Sequence, residues 1–246
     1  MSAACSVIIP ARSDAAALSR TLDHVSHLAP PATEIVVAAA GPRADVERAV
    51  RGRARVIWPE GSTRARLMNA GAAVARGEIF FFLHADSFPP SDAFALMAGA
   101  LADPRTVGGA FEHQFIEPVW SLRAITWINR VRYRLTRNYY GDRGIFVRAS
   151  VFRRVKGYPD VGLLEDLVLS QRLRRLGRYV LVRKPLLTSG RRFVARGPWR
   201  TFFFIVWLLF LHTLRLDTQR YAGRWRGPAD LVPGSPWPAG RVPSEG

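Results

Sequence analysis

The sequence is poor in cysteine and lysine. Cys5 is the only cysteine among 246 residues, which excludes an internal disulfide framework and a cysteine-ligated metal cluster. We expect Cys5 to be a buried thiol beside the first strand. Lys156 and Lys184 are the only lysines, so arginine carries almost all of the net charge of +17.

Acidic residues are too few to balance this charge. The excess is compatible with three kinds of partner: nucleic acid, an anionic membrane surface or a phosphorylated small molecule. A GC-rich genome also favours arginine over lysine without any functional reason. The sequence contains no zinc-finger spacing, no RNP-like aromatic motif and no basic-region heptads. We therefore expect no nucleic-acid partner.

Long apolar runs and a secretory leader are also missing. Residues 1–5 lack a basic region and the run at residues 7–9 is too short for a signal peptide, which favours a cytoplasmic location. Residues 202–211 are fully apolar but shorter than the roughly 20 residues of a membrane-spanning helix. Flanking arginines, with Trp199 and Trp207, suit a peripheral helix on an anionic leaflet such as the inner face of the cell membrane. Packing on the sheet, or on a second copy in a homodimer, explains this segment equally well.

The order of the apolar segments predicts an α/β fold. Strands predicted at residues 6–9, 34–38, 54–58 and 79–83 alternate with helices, which is typical of βαβ units. We expect a mainly parallel sheet flanked by helices, with a C-terminal apolar helix.

The pattern changes after residue 86. It predicts helices at residues 91–101 and 118–137 and strands at residues 107–115, 145–147 and 179–182.

Three parts of the chain differ in composition. Residues 1–197 should form one domain and residues 198–226 an apolar, basic-flanked helical extension. Residues 227–246 are rich in proline and glycine, so we expect a disordered tail.

The strand at residues 79–83 ends in His84-Ala85-Asp86. In open α/β sheets, ligands bind outside the carboxyl ends of the strands. Asp86 is therefore a candidate ligand-binding carboxylate, or alternatively a cap for the next helix. Arg64 and Arg66 lie at the start of a helix that faces the same crevice, a position that suits phosphate oxygens. A solvated helix face is the alternative for these arginines.

Five motifs follow one another along the chain: Pro10 after the first strand, RARLMNAG at residues 64–71, FLHAD at residues 82–86, GDRGIFV at residues 141–147 and LED at residues 164–166. In this order they resemble the inverting glycosyltransferases of family 2, so the resemblance implies a GT-A-like α/β fold. The chain looks most like their bacterial arsenosugar- or selenodomain-associated subgroup, over about residues 5–197, and residues 188–192 also look like that subgroup.

The resemblance implies a nucleotide-sugar donor, an unidentified acceptor hydroxyl and a divalent metal, Mg²⁺ or Mn²⁺. Asp86 matches the last position of the family's Asp-x-Asp motif and is the implied metal ligand, because a diphosphate leaving group needs charge neutralisation. Asp166 matches the Glu-Asp motif and is the implied catalytic base, although a carboxylate there also stabilises a helix N-terminus. The other implied contacts are Pro10, Arg64, Arg66, Asn69, His84, Ala85 and Arg192 to the donor, and Asp142, Arg143 and Glu165 to the acceptor or sugar. Packing alone is the alternative for His84, and a membrane-facing charge is the alternative for Arg192.

The sequence departs from the family pattern in two places. Residues 38–42 (AAAGP) lack the aspartate that commonly reads the nucleotide base, unless Asp45 substitutes for it, and residues 12–14 (RSD) replace the usual asparagine. The donor base is therefore open. A catalytically inactive or non-enzymatic, arginine-rich membrane-surface protein is the alternative. A nucleotidyl- or phosphoryl-transfer enzyme ranks lower, because no Gly-rich loop follows the first strand.

Overall fold

A computed structural model describes residues 4–12, 14–136 and 139–225. In these residues eight strands form one sheet. The strands are β1 (Cys5–Ala11), β2 (Glu34–Ala39), β3 (Arg55–Ile57), β4 (Ile79–Phe82), β5 (Ser87–Phe88), β6 (Thr106–Phe115), β7 (Ile145–Arg148) and β8 (Arg178–Thr188).

Helices connect and cover the strands. The α-helices are α1 (Ala15–Ser26), α2 (Arg43–Val50), α3 (Arg64–Val74), α4 (Ala93–Ala100), α5 (Trp120–Thr136), α6 (Ala149–Arg154), α7 (Glu165–Arg174), α8 (Arg191–Arg196), α9 (Pro198–Thr213) and α10 (Ala222–Trp225). Short 3-10 turns lie at Gly141–Arg143 and Gln219–Tyr221. No helix in the described part of the chain is both long and apolar enough to cross a membrane.

The strand order is β3-β2-β1-β4-β7-β6-β8-β5. Strands β3, β2, β1 and β4 are parallel to one another, as are β6 and β8. Strand β7 is antiparallel to both of its neighbours, and β5 is antiparallel to β8. The expected α/β fold with a mainly parallel sheet and flanking helices is confirmed, and β7 joins its two parallel parts.

Two apolar layers cover the sheet, because successive strand residues point to opposite faces. Val7, Ile9 and Phe81 pack with residues of α1, α2 and α4. Ile8 and Phe80 pack on the other face with residues of α3, α6 and α7. Cys5 is buried in the first layer, as expected, and burial raises the pKa of its thiol to about 12.

Several predicted boundaries change. The last strand, predicted at residues 179–182, runs from Arg178 to Thr188, because it pairs along most of β6. The third strand shortens to Arg55–Ile57, and β5 is a short strand that the sequence pattern did not indicate. The helix after Asp86 begins at Ala93 with Asp92 as its N-cap residue, so Asp86 does not cap it.

The segment after residue 197 is in contact with the rest of the chain. Phe202 of α9 packs in a small apolar cluster with Phe115, Leu122 and Ile125. The division at residue 197 stays a prediction. The predicted tail, residues 227–246, lies outside the described residues.

Candidate active site

A cavity of about 320 Å³ lies at the carboxyl ends of β1 and β4. The two parallel strands deliver Pro10 and the residues after Phe82 to the same edge of the sheet. Nine of the twelve predicted site residues line this cavity: Pro10, Arg64, His84, Ala85, Asp86, Asp142, Glu165, Asp166 and Arg192. The sequence-based expectation of one crevice therefore matches the placement of most of these residues.

Arg64 is the first residue of α3 and holds together three groups at the bottom of the cavity. Its Nε donates to Glu165 Oε1 at 2.6 Å and its Nη2 donates to Asp166 Oδ2 at 2.6 Å. Its Nη1 lies 3.0 Å from His84 Nε2. Arg64 was expected to bind donor phosphates, but its guanidinium group is engaged by two carboxylates. It therefore orients the candidate base.

Asp166 lies in the first turn of α7 and is buried, with 4% of its side chain exposed. Its Oδ2 is held by Arg64, whereas its Oδ1 has no hydrogen-bond partner among the described residues. Burial raises the pKa of Asp166 to about 7, although the cation of Arg64 acts in the opposite direction. A carboxylate with such a pKa and one unpaired oxygen is suited to accept a proton near neutral pH.

Asp86 follows β4 and has 25% of its side chain exposed. Its carbonyl accepts a hydrogen bond from Ser189 N–H at 3.2 Å, which ties the loop to the end of β8. Arg191 Nη2 lies 3.9 Å from Asp86 Oδ2, and Arg191 also pairs with Asp14. Burial raises the pKa of Asp86, and Arg191 and Arg192 oppose this rise. Among the described residues, no group of three His, Cys, Asp or Glu side chains is arranged to hold a metal.

His84 is half-buried between charged groups. Burial, together with the cation of Arg64, lowers the pKa of His84 to about 3, so its ring is neutral at physiological pH. A neutral ring accepts a hydrogen bond at Nε2 from the Arg64 guanidinium, which is always protonated. His84 is thus a partner of Arg64 that also lines the cavity.

Asp142 lies beside His113, a residue that the sequence analysis missed. His113 Nε2 is 3.8 Å from Asp142 Oδ2, and burial lowers the pKa of His113 to about 4. Neither His113 Nε2 nor Asp142 Oδ1 has a hydrogen-bond partner in the described part of the chain, and both residues line the cavity. Both atoms are themselves buried, so the pair is an unsatisfied polar contact beside the cavity. The only sequence signal for His113 is its place near the end of a strand.

Gly141 permits a close approach of the backbone to the carboxylate. A Cβ atom there would lie 2.6 Å from Asp166 Oδ2 and 2.6 Å from His84 Nε2. Only a residue without a Cβ atom therefore fits at position 141. From the sequence alone, Gly141 could be assigned to a turn but not to this close contact.

Three predicted site residues lie outside the cavity and have structural contacts instead. Arg66 is exposed and binds Asp160, with Nε 2.9 Å from Oδ2. Asn69 exchanges two hydrogen bonds of 2.9 Å with the backbone of Tyr158. Arg143 is buried and its guanidinium lies 3.2 Å from the centre of the Tyr133 ring. The expectation that these three residues contact a donor or a sugar stays a prediction, and the structure gives each of them a contact within the protein instead.

One side of the cavity is apolar. Helix α9 contributes Phe202, Ile205, Val206 and Leu208, which we call the apolar wall. The polar residues His84, Asp86, Asp142 and Asp166 form the opposite part, which we call the polar floor. Sequence reasoning had no means to place α9 here, because a long-range contact joins it to the sheet.

Comparison with solved structures shows which fold this is. The mannosyltransferase PcManGT from Pyrobaculum calidifontis, in complex with GDP-Man and Mn²⁺, matches with a TM-score of 0.63 and 17% identity over 94% of this chain and 71% of that chain. The glucosyl-3-phosphoglycerate synthase from Mycobacterium tuberculosis, with Mn²⁺, UDP and glucosyl-3-phosphoglycerate, matches with a TM-score of 0.61 and 17% identity over 87% and 81%. At such identities the likeness shows the fold alone, which is GT-A-like.

A third similar structure is residues 1–349 of S. aureus TarS, with a TM-score of 0.59 and 14% identity over 77% of this chain. The present chain spans only 61% of that TarS chain. A search of curated protein sequences finds no match.

The family follows from a sequence model. The model for glycosyl transferase family 2 matches residues 6–159, more than half of the chain. This match contains β1, α3, β4 and β7, and with them Pro10, Arg64, Asp86 and Asp142 of the cavity. The chain belongs to glycosyl transferase family 2.

Proposed function

We propose that this protein transfers a hexosyl group from a nucleotide-sugar donor to an acceptor hydroxyl with inversion at the anomeric carbon. The observation that carries the proposal is the pair of carboxylates, Asp86 and Asp166, at one cavity formed by the strand ends of a family 2 fold. Among the family, the motifs favour the bacterial arsenosugar- or selenodomain-associated subgroup.

Asp166 acts as the base. The acceptor hydroxyl donates its proton to the Asp166 carboxylate, which lines the cavity, while its oxygen forms the new bond to the anomeric carbon. The bond between that carbon and the diphosphate oxygen breaks, and the nucleoside diphosphate leaves with the electron pair. Arg64 keeps Oδ2 in place and favours the ionised carboxylate.

The site fits a divalent metal, Mg²⁺ or Mn²⁺, that is held by one protein carboxylate. Two of the similar structures contain Mn²⁺ with a nucleotide or nucleotide sugar. Asp86 is a partly exposed carboxylate at the cavity. Because the described residues contain no group of three metal-binding side chains, Asp86 would hold the ion together with phosphate oxygens and water. When bound, the ion neutralises the negative charge that develops on the leaving diphosphate.

Arg191 and Arg192 supply positive charge on the same side. Arg191 is 3.9 Å from Asp86, and both arginines line the cavity. We assign them to the donor diphosphate, since guanidinium groups bind phosphate in a bidentate manner. The donor base and sugar stay open, because the family's base-reading aspartate is replaced by alanine.

The second candidate function is a membrane-surface protein without catalysis. The observation in its favour is the exposed apolar face of α5 and α9, with Trp120 71% and Phe203 62% exposed. Both candidates place the protein at the cytoplasmic face of a membrane. A homodimer that covers this face is the alternative occupant.

The experiment is a panel of nucleotide sugars tested for hydrolysis and transfer with Mn²⁺, Mg²⁺ or EDTA. Wild type should turn over one donor in the presence of metal, Asp86→Ala should lose the response to metal, and Asp166→Asn should lose turnover. Glu47→Ala, which removes an exposed carboxylate of α2, is the matched control and should behave as wild type. Equal activity of all four proteins, or no donor binding by calorimetry, would refute the enzyme and favour the membrane-surface protein.

A further inference from the structure

We infer that the acceptor is an amphipathic alcohol, whose hydroxyl-bearing head reaches Asp166 and whose apolar chain leaves the cavity along α9 toward an anionic lipid surface. This inference rests on the proposed function and names the substrate class of the same site.

The apolar wall continues from the cavity to the outside of the protein. Phe202 and Leu208 are 9% and 2% exposed, so they form the inner part of the wall. Val206 lines the same cavity and is 39% exposed. A molecule in the cavity can therefore remain in contact with apolar side chains as it passes Val206 to the surface.

The outer side of α9 carries an unbroken row of exposed apolar side chains. Phe203, Trp207, Phe210 and Leu214, which we call the outer stripe, are between 47% and 62% exposed. Their spacing places them on one face of the helix. The rings of Trp207 and Phe210 stack with their centres 5.8 Å apart. A contiguous apolar surface of this kind marks an interaction site.

The outer stripe extends across to α5. The ring centres of Trp199 and Phe203 are 6.2 Å apart, and those of Trp199 and Trp120 are also 6.2 Å apart. Trp120 and Trp127 of α5 are 71% and 67% exposed. Exposed tryptophans at the edge of an apolar patch are typical of proteins that lie at a membrane interface.

Charge decides which partner covers this face. Residues 118–136 and 191–216 contain no aspartate or glutamate. Exposed arginines lie on or beside the two helices, at positions 123, 200, 215 and 220. In a symmetric dimer these cations would face their own copies and repel. An anionic phospholipid surface is complementary to them and accepts the apolar side chains as well.

The apolar lining of the cavity beside α9 favours an acceptor with an alkyl or prenyl chain over an acceptor with a second sugar. A polyhydroxylated acceptor would place hydroxyl groups against Phe202 and Leu208, where they would lose hydrogen bonds to water without gaining new ones. An alkyl or prenyl chain gains from the same contacts. The polar head alone needs the floor, where the carboxylates of Asp142 and Asp166 line the cavity.

The transfer step with this acceptor is the same as in the proposed function. The acceptor O–H bond breaks, its proton passes to Asp166, the new glycosidic C–O bond forms and the nucleoside diphosphate departs. No other co-reactant is required, and the apolar chain takes no part in the chemistry.

The test compares two acceptors that differ only in chain length, methyl β-glucoside and octyl β-glucoside, each below its critical micelle concentration. With the donor identified by the panel, we expect kcat/KM to be at least about tenfold higher for the octyl compound, because buried methylene groups add to binding. Donor binding is measured separately by calorimetry. Donor turnover with no advantage for the octyl chain overturns the inference alone, whereas absent donor turnover refutes the proposed function and the inference with it.

Two variants localise the effect. Val206→Asp should reduce the octyl-to-methyl ratio of kcat/KM to near one, because it places a charge in the wall. Leu176→Asp changes an exposed leucine away from the cavity and should keep the wild-type ratio. Equal ratios for the two variants would contradict the assignment of the wall.

Binding to lipid vesicles tests whether the outer stripe contacts an anionic membrane. Full-length protein should bind vesicles that contain phosphatidylglycerol and fail to bind pure phosphatidylcholine, and Trp207→Asp should weaken the binding. Sedimentation of the same proteins measures their oligomeric state and so tests the alternative, a homodimer. A dimer that Trp207→Asp dissociates, with no vesicle binding by wild type, would assign the face to a second copy and overturn the lipid assignment.

Discussion

The polar floor and the apolar wall of the cavity are built in opposite ways. The floor is made of polar side chains, two of which are held by Arg64, with contacts of 2.6 Å to Asp166 and 3.0 Å to His84. The wall belongs to a helix whose outer stripe is 47% to 62% exposed, although some of its rings contact one another and Trp199. The difference indicates that the floor is fixed in advance for one chemical step, whereas the wall completes its contacts only with another molecule.

The largest effect is expected from the candidate base. Asp166→Asn removes the proton acceptor and should lower kcat by about 10²–10⁴, the usual contribution of general base catalysis. Glu165→Gln, which also loses an ion pair with Arg64, is the matched control and should cost far less. Steady-state kinetics with a saturating donor measure both. Similar losses in the two variants would mean that Asp166 acts only as a structural anion.

The next effect concerns the space inside the floor. Gly141→Ala places a methyl group 2.6 Å from Asp166 Oδ2 and should displace the carboxylate, which lowers kcat by up to about a hundredfold. Overpacking should also cost roughly 1–3 kcal/mol of unfolding free energy.

Gly99→Ala on α4 is the control for this change. A Cβ there meets nothing within 4 Å, so the variant should keep its activity and gain about 0.5–1 kcal/mol in stability. Denaturant unfolding and kinetics are measured together. Unchanged kcat in Gly141→Ala would show that the floor tolerates a shift of Asp166.

A smaller effect concerns pH. Asp166 must be ionised to accept a proton, so activity should rise with pH through the pKa of about 7. Arg64 lowers this pKa, and Arg64→Ala should therefore move the midpoint of the kcat–pH profile upward by about 1–3 units. Arg64→Lys retains the charge and should move the midpoint less. A midpoint that stays in place, or moves downward, would contradict the role of Arg64.

The smallest effect concerns the wall side. Trp207→Ser removes an exposed ring and should change the unfolding free energy by no more than about 0.5 kcal/mol. Phe81→Ser, at a fully buried site, is the comparison and should be severely destabilising. Thermal and denaturant unfolding report both values. A large loss in Trp207→Ser would show that the outer stripe already packs within the protein.

Much of the fold could be predicted from the sequence. The all-apolar run at residues 79–83 predicts a strand buried on both faces, and β4 is such a strand. The extent of β8 could not be predicted, because its ends are set by pairing with β6 and not by its own composition. For the site, the motifs indicated Asp86 and Asp166. The contacts of Arg66 and Asn69 to Asp160 and Tyr158 lie about 90 residues away along the chain and were not visible in the sequence.

The sequence by itself determined the strand–helix order, the strong positive charge, and the carboxylate that follows β4. It did so because apolar periodicity and turn residues act over a few neighbouring positions. Only the tertiary structure decided that Arg64 binds the candidate base, that Gly141 leaves room for it, and that α9 lines the same cavity. These are contacts between residues far apart in the chain, and they exist only once the sheet and its covering helices are packed.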